Sequence, residues 1–112
     1  MRARIAAIAL CVTLSGAALA GNPPPDVRVP PGTRADAAGI LVSGSGLRET
    51  SDFFARDLEA RGVIAKQIGP YRVRGVELTR FVSQTPATSW LAIHVLRRDG
   101  KTLIFFVPRP KA

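Results

Sequence analysis

The chain is 112 residues long and 46% hydrophobic, and it carries 16 Lys and Arg against 8 Asp and Glu, a formal net charge of +8. That length holds one small domain with a modest core. A single cysteine and a single histidine exclude a disulfide framework, a thiolate metal centre and any site that needs clustered His or Cys ligands.

Residues 1–20 have the three parts of an export signal. Arg2 and Arg4 supply the positive start, Ile5 to Leu14 form an apolar run, and Ala18-Leu19-Ala20 places small residues where a signal peptidase reads them. Cleavage after Ala20 is expected, with Gly21 as the new N-terminus and a periplasmic or secreted location. The apolar run is too short for a membrane span. Cys11 follows Leu10 in the middle of that run, not at its end, so it does not fit a lipidation site. Loss of Arg2 and Arg4 leaves 14 basic residues against 8 acids, a mature charge of +6.

Residues 21–37 hold Pro23, Pro24, Pro25, Pro30 and Pro31 with few large apolar groups. This composition predicts a disordered, extended leader. A single α+β domain is expected over 38–112.

Gly39 to Ser43 reads as a short strand, followed by Gly44-Ser45-Gly46 and a helix at about 48–61. Thr50 or Ser51 is the expected cap and Gly62 the expected left-handed terminator. Phe54 and Leu58 mark the buried stripe. Asp52–Arg56 and Asp57–Arg61 are spaced as surface ion pairs. A second strand is expected from Val63 to Ile68, with a turn at Gly69-Pro70. From Tyr71 to Ser83 the apolar positions change register at Gly75, which fits either a bulge or a tight turn; the bulge asks less of Arg74-Gly75 and is preferred.

Trp90–Arg98 and Lys101–Val107 flank Asp99-Gly100, a pair suited to a two-residue turn with positive φ at both positions. The resulting register sets Leu96 against Leu103, Val95 against Ile104, His94 against Phe105 and Ile93 against Phe106. Both faces of this hairpin are apolar, and one helix covers only one. The expected architecture is therefore a two-layer α+β domain: one helix on a mainly antiparallel sheet of four or five short strands, with a C-terminal hairpin at 90–107 and one sheet face left for a partner. The partner-binding residues expected on that face are Ile93, Val95, Ile104 and Phe106, flanked by Arg97, Arg98 and Lys101.

Catalytic signatures are weak. Ser43-Gly44-Ser45-Gly46 has Glu49 where a dinucleotide fingerprint needs its third glycine, lacks the lysine of a P-loop, and has glycines too close to Ser45 for a nucleophile elbow. An anion at the following helix N-terminus would face Glu49 and Asp52. A small hydrolase-like enzyme would need a pocket joining Ser45 and His94. The expectation is a non-catalytic envelope protein without cofactor or metal. It would act through an apolar sheet face and a basic surface, on another envelope protein or a copy of itself. The alternative ligand is an anionic envelope polymer or lipid; nucleic acid is not expected outside the cytoplasm.

Overall fold

The computed structural model describes residues 23–110. The export signal expected over 1–20 and its cleavage after Ala20 lie outside the described residues. One helix, α1 (Leu47–Ala60), packs on a six-stranded antiparallel sheet. The strands are β1 (Arg34–Ala35), β2 (Leu41–Ser43), β3 (Ala65–Val73), β4 (Val76–Ser83), β5 (Trp90–Arg98) and β6 (Lys101–Pro108), in the order β1-β2-β6-β5-β4-β3. The fold class is the expected α+β, with β1 as an extra edge strand beyond the expected four or five.

The C-terminal hairpin has the register dictated by its turn. Asp99 and Gly100 have φ of 53° and 76°. The four pairs Leu96–Leu103, Val95–Ile104, His94–Phe105 and Ile93–Phe106 all form. A register shift between Trp90 and Ala92 turns Trp90 onto the helix side, where it is fully buried.

Gly75 sits in a tight turn rather than the preferred bulge. Arg74 and Gly75 both take positive φ, and Arg72 pairs with Glu77 and Tyr71 with Leu78. The bulge lies instead between Ile68 and Tyr71, so the chain does not turn at Gly69-Pro70 and β3 runs straight through it. A Cβ at Gly69 would stand 2.6 Å from the Leu78 carbonyl oxygen, which reserves the position for glycine.

The helix begins a turn earlier than its expected caps. Gly46 is the N-cap, and Thr50 and Ser51 lie buried inside the helix. Thr50 shares a 2.8 Å hydrogen bond with the Ser43 hydroxyl, an internal tie from helix to sheet. Gly62 takes the left-handed conformation after the last turn, and Arg61 pairs with Asp57 at 3.0 Å. Phe54 is the centre of the core, 6.2 Å from both Phe81 and Phe106 by ring centroids.

From Pro23 onward the expected disordered leader is docked. Val27 is buried in the same core cluster as Phe54, and the Asp26 carboxylate accepts hydrogen bonds from the N–H and hydroxyl of Ser89. The proline-rich segment makes turns closed by hydrogen bonds from the Val27 N–H to the Pro24 carbonyl and from the Thr33 N–H to the Pro30 carbonyl, and Val27 and Val29 anchor it on the core.

Candidate functional site

Opposed residues in an antiparallel pair share a face, so the register sorts every strand residue. Toward α1 point Leu41, Ser43, Thr79, Phe81, Ile93, Val95, Thr102, Ile104 and Phe106, all buried. Away from it points a row that crosses five strands: Val42, Leu103, Leu96, Leu78 and Tyr71. The next row holds Phe105, His94, Arg80 and Ile68, and a third holds Val107, Ala92, Val82 and Lys66. Among the described residues no helix or loop lies over these rows. Most of these side chains are half-buried, Ala92 is buried, and Val73 at the β3–β4 turn is 53% exposed.

The expected open face exists, but on the opposite side from its expected residues. Ile93 and Val95 are 0% exposed, Ile104 2% and Phe106 5%, all under α1. The physical reason is that hairpin register fixes which residues share a face, while the choice of face for the helix depends on the whole sheet. Phe81 in β4 pairs with Ile93, and on that side Phe54 packs against Phe81 and Phe106. The expected basic trio is divided as well. Arg98 and Lys101 oppose each other on the open face, whereas Arg97 pairs with Thr102 and Glu77 on the helix side.

Charge is distributed as unevenly as shape. The open face of the strands carries Arg34, Lys66, Arg80, Arg98 and Lys101 and no carboxylate. The acids among the described residues lie on α1, on the covered side at Glu77, or in connecting segments at Asp26, Asp36 and Asp99. Arg80 and His94 are cross-strand neighbours at the middle of the face. The Arg80 Nε is enclosed without a hydrogen-bond partner, and the guanidinium has no ion-pair partner among the described residues. Burial, followed by the nearby Arg80 charge, holds the His94 imidazole below its ordinary range, which keeps it neutral near neutral pH.

Two clefts lie on the helix side. The larger, about 590 Å³, opens between the helix N-terminus and the β3–β5 end of the sheet. Arg48 and Arg97 face Glu49, Asp52 and Glu77 across it, a mixed set with no single-sign field. The smaller, about 320 Å³, is an apolar groove beside Leu58, Val63 and Phe81. Ser45 occupies the exposed loop before α1 and His94 the open face; neither lines either cleft. Among the described residues no group of three or more His, Cys, Asp or Glu is placed to hold a metal ion, and no helix is long and apolar enough to cross a membrane.

The fold and this surface define a small antiparallel α+β domain with one covered and one open sheet face. No protein family matches the chain, and no curated protein or solved structure shows significant similarity to it.

Proposed function

We propose that the chain is an exported, non-catalytic binding protein of the bacterial cell envelope, and that the open sheet face is its contact surface. The observation that carries this reading is the uninterrupted apolar row from Val42 to Tyr71 on a face that no described element covers. Full burial of one large apolar side chain contributes about 1.5–3 kcal/mol. A domain of this size is marginally stable, and five such side chains left part-exposed have a few kcal/mol still to gain, roughly a third of their full burial at most. A contiguous apolar patch of this kind marks an interface. The order of Arg2, Arg4, the Ile5–Leu14 run and Ala18-Leu19-Ala20 supports export.

The test is co-purification from the native envelope with the chain tagged at its C-terminus. Wild type should retain a stoichiometric protein partner. Leu96→Asp and Leu103→Asp should lose it while keeping the wild-type circular dichroism spectrum. Retention of the same partner by both variants would remove the open face from the contact.

A further inference from the structure

From the charge pattern of the open face we infer that its occupant is an amphipathic helix of another protein, and that this helix presents a carboxylate to Arg80. The inference rests on the reading of the open face as a contact surface and specifies its partner.

Arg80 lies inside the patch. Ile68 and His94 flank it across the strands, and Leu78 and Val82 flank it along β4. Its Nε is shut off from water and has no acceptor. A docking partner cannot reach that enclosed atom, but the terminal Nη groups of the same guanidinium have no ion-pair partner among the described residues, and an anion on the apolar surface can take them in a strong, charge-assisted bond. His94 beside it is held neutral and adds no second positive charge. It offers one ring N–H as donor and one nitrogen as acceptor.

The same pattern argues against two other occupants. A second copy laid face to face would set Arg34, Lys66, Arg80 and Lys101 against their own counterparts, with Asp99 at the hairpin tip already paired to Arg98 at 3.7 Å. An anionic membrane is met best by an apolar centre with cations at its rim. Here Arg80 is at the centre, where insertion would carry it beneath the head groups. A twisted sheet face does accept a helix. The covered face already does so with α1, and an open face of the same sheet offers a second helix the same kind of seat.

The test uses three probes against the chain from Gly21 on, which contains the whole described domain. The first is a synthetic helix of about 18 residues, roughly 27 Å long, with a Leu/Ala face and one central Glu. The second is the same peptide with Gln for Glu. The third is vesicles of phosphatidylglycerol in phosphatidylcholine. By calorimetric titration the Glu peptide should bind about tenfold or more tighter than the Gln peptide, the ratio expected of one partly shielded charge-assisted pair. Arg80→Gln should reduce that ratio to about one and leave Gln-peptide binding unchanged. The variant should melt no lower than wild type, because it removes an unpaired half-buried charge. A lower melting temperature would instead make Arg80 a structural residue and overturn the inference. Arg80→Lys, which keeps the charge without the planar fork, should retain part of the preference. Equal affinity for the two peptides in wild type would overturn the carboxylate and leave the contact surface standing. Arg80-dependent binding to the vesicles above that to either peptide would assign the face to a membrane. Binding to none of the three would overturn the face as well as its partner.

Discussion

Phe105 and Phe106 are the same residue one position apart, yet they sit in different worlds. Phe106 stands edge-on to Phe54, 5% exposed, while Phe105 lies half-buried on a surface that no described element covers. Val95 and Leu96 repeat the contrast one strand over. The two faces of this hairpin are alike in hydropathy and differ in what is stacked upon them. On one side α1 and Val27 of the N-terminal segment complete a core; on the other, an apolar field holds Arg80 near its middle and the remaining cations toward its edges. A sheet that is apolar on both faces therefore has its inside and outside decided by the third dimension of the fold, and the side left over is where a partner has most to gain.

The sharpest way to break the comparison is to place the same charge on each face. Ile93→Asp buries an unpaired carboxylate under α1 and should cost on the order of 4 kcal/mol or more, enough to unfold a marginal domain. Leu96→Asp places it where water reaches and should stay within about 1 kcal/mol. Urea titration followed by circular dichroism compares the two, and equal losses would erase the distinction between the faces. Truncation gives a smaller contrast of the same sign. Phe106→Ala should cost about 3–5 kcal/mol through the cavity it leaves, whereas Phe105→Ala, which leaves no closed cavity, should cost about 1–2 kcal/mol.

Those contrasts depend on register, because a slip of one residue exchanges the faces. Gly100, with φ of 76°, holds that register at the turn. Gly100→Val should cost about 1–3 kcal/mol, and an unchanged melting temperature would contradict the turn conformation.

The smallest expected effect is a pH dependence belonging to the open face alone. The folded protein binds the His94 proton more weakly than the unfolded chain does, since burial and then Arg80 lower its pKa. The unfolded state therefore takes up the extra proton, and stability falls as pH drops through the ordinary imidazole value of about 6.5 toward the lowered folded one. His94→Phe should flatten the melting-temperature profile between about pH 7 and 5. A profile identical to wild type would mean that the imidazole feels neither burial nor Arg80.

Where local chemistry is decisive, the sequence was legible. Asp99-Gly100 set the hairpin and all four of its central pairs, Phe54 and Leu58 identified the helix stripe, and Gly62 marked its end. The excess of apolar surface over covering helix was visible too, and it pointed to an open face. What the strands could not disclose was which face. Ile93, Val95, Ile104 and Phe106 look no more like core than Leu96, Leu103 and Phe105 until Phe81 of β4 is paired with Ile93 and Phe54 is placed above them. Three other misreadings share this origin. Val27 looked like part of a solvated leader because the core that buries it is built from residues far along the chain. Thr50 looked like a cap because its partner Ser43 lies on another element. At Arg74-Gly75 the poor turn pair looked weightier than the favourable Arg72–Glu77 and Tyr71–Leu78 pairings that a turn produces, and those strand pairings decide it. Arg80 carried no sequence signal at all; its isolation appears only once the acids are seen to lie elsewhere.

Site-specific photo-crosslinking in the intact envelope tests the central claim most directly. A photoreactive residue placed at position 96, on the open face, is compared with one placed at position 52, on the exposed side of α1. The account predicts a discrete adduct from position 96 and none from position 52. No adduct from position 96, or equal adducts from both, would contradict it.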